Sequence, residues 1–164
     1  MKFIKNDYLI KFVIIILIFL IDIFLKIYIL NLFQENQIKE LYFNSFLNFY
    51  LIWNEGVAFG LLNFDSQIFY NIVTFLIIII CIIIFTLAIK SKNYVGYFFA
   101  VIFGGAIGNC YDRIIYAAVP DFIDFHINNY HWFIFNVADI FITIGIFCLI
   151  FDELFLKTKT NEQN

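Results

Sequence analysis

From Ile68 to Ile89 the chain runs through 22 residues, IFYNIVTFLIIIICIIIFTLAI, without one charged side chain. Such a run suits a bilayer core, about 30 Å thick, which a helix of about 20 residues crosses. Hydrocarbon offers the backbone no hydrogen-bond partners, so the run must be helical in spite of its β-branched residues. Similar runs lie at about 12–33, 94–111 and 132–151. The whole chain agrees, being 63% hydrophobic and 22% aromatic with a mean hydropathy of +0.91, far outside the range of soluble domains. The expectation is an all-α membrane protein, a four-transmembrane-helix bundle in one domain over residues 1–155, followed by a cytoplasmic tail at 156–164.

Lysine and arginine set the orientation. Lys2, Lys5 and Lys11 precede the first run, Lys90 and Lys92 join the second to the third, and Lys157 and Lys159 follow the fourth, whereas only Lys39 and Arg113 fall on the other side. Both termini should then be cytoplasmic, and the connectors 34–67 and 112–131 should face outward. The positive start MKFIKNDYLIK resembles a signal peptide, but the apolar run behind it is too long for one and no A-x-A-like cleavage site follows, so it reads as a retained span. In the first connector LNFYLIWN, Leu47–Asn54, reads as a strand ended by the glycine-containing NEGVAFG.

Ten basic residues against 13 acidic ones provide no basic face for nucleic acid. Cys81, Cys110 and Cys148 lack C-x-x-C spacing and are read as packing residues. No H-E-x-x-H is present, and Ser45, Ser66 and Ser91 lie outside the spans and outside any G-x-S-x-G turn, which disfavours zinc and serine hydrolysis. His126 and His131 lack the i, i+4 spacing of a helical metal site and are read as interfacial or hydrogen-bonded side chains. No metal and no cofactor is expected.

Polar residues inside apolar runs carry the functional argument, because charge in a bilayer is costly and is retained for a task. Asp22 and Lys26, four apart, share a helical face and read as a structural ion pair. Gly104, Gly105, Ala106 and Gly108 permit close helix packing. Asn109 and Arg113 follow on one face, where the guanidinium can donate to backbone carbonyls of a bound peptide. Asp139 lies about two turns into the last run and shares a face with Asn136. Two carboxyls within hydrogen-bonding reach share a proton and can act as base and acid together, the chemistry of an aspartic protease. Asp139 is one half of such a pair. The other is Asp121 or Asp124, while Asp112, beside Arg113, is better placed for an ion pair, and at least one of Asp112 and Asp124 is expected merely to solvate a loop. The alternative is a small proton- or ion-coupled transporter in which Asp22, Lys26 and Asp139 form a relay; four spans without paired halves disfavour it.

The strings LIDIFLK, NEGVAFG, GGAIGNCYDRI, VPDFIDF and FNVADIFITIG, in this order and covering Asp22 to Gly145, resemble the lipoprotein signal peptidase (signal peptidase II) family. That resemblance implies an aspartic endopeptidase of the bacterial cytoplasmic (inner) membrane. Its substrates would be prolipoproteins, cut before a cysteine carrying diacylglycerol, with membrane lipid around it and no nucleic-acid partner. It implies Asp121 and Asp139 as the catalytic pair, Asn54, Asn109, Arg113 and Asn136 as substrate-binding residues, Asp22 and Lys26 as support, and a small extracytoplasmic β-rich cradle around LNFYLIWN. Cys110, Pro120, Ile140 and Phe141 depart from the family's usual residues, which bears on packing around the pair. No sequence signal for an oligomer stands out, and a monomer is expected.

Overall fold

The computed structural model describes residues 2–38, 40–55, 67–127 and 130–156. In chain order these form α1 (Lys2–Asn36), β1 (Glu40–Asn44), β2 (Leu47–Asn54), α2 (Gln67–Lys90), α3 (Val95–Tyr116), β3 (Val119–Ile127), β4 (Tyr130–Phe135) and α4 (Val137–Phe151). A π-helical turn, Asp152–Leu156, closes α4. The glycine-rich part of NEGVAFG and the tail beyond Leu156 lie outside the described residues.

Among the described residues three helices are long and apolar enough to cross a membrane, over Asn6–Asn36, Tyr70–Lys90 and Val95–Tyr116. The fourth differs from expectation. Residues 132–135 belong to β4, so α4 begins only at Val137 and has 15 residues. Aromatic and β-branched residues suit a strand as well as a span, and hydropathy alone does not separate the two. Asp139 therefore stands in the first turn of its helix rather than two turns into it. Asp112 is also helical, because α3 continues to Tyr116.

α3 lies at the centre of the helices, and its small residues explain how. A Cβ on Gly105 would come within 2.5 Å of the Ala138 carbonyl oxygen of α4, and one on Gly108 would collide with the Asp22 carboxylate of α1. Only a bare backbone allows both approaches. At one end of the bundle Lys11, buried along α1, ion-pairs with Asp7 at 2.8 Å and donates to the Ser91 carbonyl at 3.0 Å, tying α1 to the α2–α3 turn.

The expected strand LNFYLIWN is β2, and the small β-rich element expected around it is a four-stranded antiparallel sheet in the order β1-β2-β3-β4. Ala117, left-handed at φ 56°, ends α3 and turns the chain into β3. Phe122 of β3 packs with Ile29 and Phe33 of α1, seating the sheet on the bundle. The second connector, VPDFIDFHI, is thus a buried strand rather than a loop.

Candidate active site

Two carboxylates, Asp121 near the start of β3 and Asp139 in the first turn of α4, lie at the junction of the sheet and the helices. Asp121, 4% exposed, accepts from Asn54 Nδ2 at 2.9 Å and from Asn136 Nδ2 at 2.6 Å. Asp139 accepts from Asn109 Nδ2 at 2.8 Å and from the Asn136 backbone N–H at 3.2 Å. Asn136 is also the N-cap of α4, its Oδ1 accepting from the Asp139 amide at 3.1 Å, so the FNVAD string closes a capping box. Asn136 thereby donates to both acids, from its side chain to Asp121 and from its backbone N–H to Asp139. Burial pushes the Asp121 carboxyl up to about 6; the amide donors of Asn54 and Asn136 oppose the shift, and the nearby Asp139 charge adds to it.

Beneath the acids lies a buried ionic layer. Lys26 donates at 2.6 Å to both Asp22 and Asp112 and at 3.0 Å to Asn109 Oδ1, which aims the Asn109 amide N–H at Asp139. Asp22 uses its other oxygen to accept from the Ala138 N–H at 2.8 Å, satisfying a first-turn amide of α4 that the helix itself leaves open. Expected as a pair, Asp22 and Lys26 prove to be part of a four-residue network spanning α1 and α3.

Asp112 was expected to pair with Arg113, and at least one of Asp112 and Asp124 to solvate a loop. Both are 1% exposed. Asp112 pairs with Lys26 because i, i+3 spacing from Asn109 places it on the face toward α1, a signal present in GNCYD. Asp124 lies three residues along β3 from Asp121, an odd separation that turns it to the opposite face of the strand. Its partners are different: His131 Nδ1 at 2.8 Å and, more distantly, His126 Nδ1 at 3.6 Å. Arg113 donates from Nη1 to the Asn109 carbonyl at 3.2 Å, and its own carbonyl accepts from Tyr70 OH at 2.8 Å, a contact that spacing did not indicate.

Fold and site together define a helical membrane protein with two acids, Asp121 and Asp139, each held by asparagine donors at the junction of its bundle and its sheet. The model of the signal peptidase (SPase) II family matches residues 14–155. The lipoprotein signal peptidase of Pelagibacter ubique (strain HTCC1062) is 54% identical over 161 residues, 98% of this chain and 96% of that protein. That of Francisella tularensis subsp. mediasiatica (strain FSC147) is 41% identical over 153 residues, 91% of this chain and 94% of the relative. Among solved structures, a bacterial membrane enzyme determined by the in meso method at 2.3 Å superposes with a TM-score of 0.70 at 30% identity, covering 92% of this chain and 90% of that one. The chain belongs to the signal peptidase II family, bacterial inner-membrane peptidases. The transporter alternative finds no support in these relatives.

Proposed function

We propose that this chain is an aspartic endopeptidase whose catalytic pair is Asp121 and Asp139, cutting prolipoproteins just before the diacylglyceryl-modified cysteine. Family membership makes it a peptidase that removes signal peptides from prolipoproteins. The aspartic chemistry rests on one observation above the others. Asn136 donates to Asp121 and caps the helix that carries Asp139, and the two acids are near enough for the Asp139 charge to act on the Asp121 carboxyl.

In this reading Asp121, whose burial favours its protonated form, keeps the pair's proton and hydrogen-bonds the scissile carbonyl. Asp139 takes a proton from the water that attacks. The tetrahedral diol collapses as the leaving amine is protonated, and no covalent enzyme intermediate forms. The Asn54, Asn109 and Asn136 amides hold the acids in place and lie where an extended substrate backbone would pass, and Arg113, at the end of α3, donates to its carbonyls.

α4 with its π-helical turn forms the fourth crossing of a single peptidase domain over 1–155, and the 156–164 tail is cytoplasmic. The Lys11–Ser91 contact supports the orientation, since it joins two of the lysine-bearing segments at one end of the bundle. Both termini then face the cytoplasm, the acids lie near the outer surface, and the sheet forms the extracytoplasmic cradle. Exposed Phe, Ile and Leu along α1 and α2 face lipid, through which the substrate's acyl chains approach. The reading includes a monomer, because the sequence carries no oligomer signal. The test is cleavage of a diacylglyceryl-cysteine precursor by purified protein. Cleavage of the lipidated and not the unlipidated form is expected, with none by Asp121→Asn or Asp139→Asn, and retained cleavage in either variant overturns the assignment.

A further inference from the structure

On the face of the sheet that Asp124 occupies, polar atoms are poorly satisfied. Among the described residues five buried side-chain N or O atoms lack a hydrogen-bond partner, and Asn48 Oδ1, Asp124 Oδ1 and His126 Nδ1 are three of them. These three share one patch. Asn48 pairs across strands with Asp124, His126 is two residues farther along β3, and His126 pairs across strands with His131 of β4. Asn48 is 6%, Asp124 1% and His126 7% exposed. Orphaned buried polar atoms are costly, so their concentration at one place points to a missing partner.

The donor set identifies the chemistry. Two imidazoles and a carboxylate offer donor atoms that all lie within 4.8 Å of one another, with Asp124 Oδ2 at 2.8 Å from His131 Nδ1 and 3.6 Å from His126 Nδ1. Tetrahedral ligands at about 2.0–2.1 Å from a metal lie about 3.4 Å apart. The largest gap is therefore somewhat too wide, and His131, whose side chain is 55% exposed, is free to swing and close it. The histidine rings are stacked, with centroids 5.3 Å apart, so both nitrogens lie on the Asp124 side. Nitrogen and oxygen donors of this kind select borderline transition ions over magnesium or calcium.

We infer that Asp124, His126 and His131 form a binding site for a divalent transition ion of the zinc class, with the Asn48 side-chain oxygen accepting from a water that completes the coordination. The site stands on the opposite face of β3 from Asp121 and takes no part in hydrolysis. Its ion staples β3 to β4, the strands that lead into the catalytic Asp121 and into Asn136.

Tag-free, full-length protein in detergent, titrated with Co2+ and then Zn2+, tests this directly. The expected result is one Co2+ per chain with visible d–d bands that Zn2+ bleaches. Binding should be weaker by about 100-fold or more in His131→Ala and Asp124→Asn, since each removes a ligand. Asp121→Asn should keep the bands, placing the ion away from the acid pair. His131 is exposed, so its variant decides the matter even where Asp124→Asn fails to fold. An absence of stoichiometric Co2+ binding, equal binding by His131→Ala, or loss of the bands in Asp121→Asn would each overturn the site, the first leaving water as the partner of the orphaned atoms.

Discussion

Asp121 and Asp124 are the same residue type, three positions apart in one string, DFID, on one strand, and both are almost fully buried. They live in different surroundings. Asp121 lies on one face of β3, where amides from β2 and from the start of α4 occupy both of its oxygens. Asp124 lies on the other face, the one that carries Phe122, and meets two imidazoles, with one oxygen unpartnered. Period-2 alternation of a strand is enough to separate the proposed reacting group from a bystander, provided the segment is a strand. As a loop, the same residues would have no such parity.

The sharpest way to break this contrast is to compare the two amides. Asp121→Asn should lower precursor cleavage by about 1000-fold or more, the scale of losing a general acid or base. Asp124→Asn should retain cleavage. Equal loss in both variants, measured on a lipidated precursor, would show that the two faces of β3 are not functionally distinct.

On the Asp121 side, the support beneath the pair is expected to matter next. Lys26→Met leaves Asp22 and Asp112 buried without their cation, and breaking a buried ion pair from one side costs about 3–5 kcal/mol. The loss should appear as a lowered unfolding midpoint in detergent, together with impaired cleavage, because Lys26 also orients Asn109.

The pH dependence follows from the raised Asp121 pKa. The folded chain holds a proton at Asp121 up to about 6, whereas an unfolded chain releases it near the ordinary carboxyl value of 3.8. The unfolded state therefore binds fewer protons between those values, and stability falls as pH rises through that window. At about 1.4 kcal/mol per pKa unit this contributes roughly 3 kcal/mol, fully present below pH 4 and lost above about 6. Melting curves of the parent and of Asp121→Asn should differ in slope across that window; identical slopes would mean that Asp121 is not desolvated as described.

The smallest effect concerns the residue shared by both acids. Asn136→Ala removes a helix cap, a loss of about 1 kcal/mol, and also the Asp121 donor. Cleavage should fall further than stability does, whereas His131→Ala, a partner of Asp124 instead, should leave cleavage intact. Parity between the two variants in a kinetic assay would remove Asn136 from the site.

Much of this was legible in advance. The membrane setting, the helical runs within α1, α2 and α3, the LNFYLIWN strand and the packing glycines follow from hydropathy, β-branched content and residue size, which are local properties. Asp139 and Asn136 were also readable, since three-residue spacing on one helix brings them together. The fourth run was misjudged at its start because YHWFIF is apolar enough for either a span or a strand. Asp112 was misassigned because its neighbour in sequence, Arg113, points elsewhere, while Lys26, 86 positions away, reaches it.

Sequence by itself determined that this chain must lie in a membrane, which residues are too costly there to be idle, and, through its five strings, the family to which it belongs. Tertiary structure decided which partners each acid has. The pairings of Asp121 with Asn54 and Asn136, of Lys26 with Asp112, and of Asp124 with His131 depend on strand parity and on the close approach of helices at Gly105 and Gly108. Those are relations between segments, and no local stretch of residues encodes them alone.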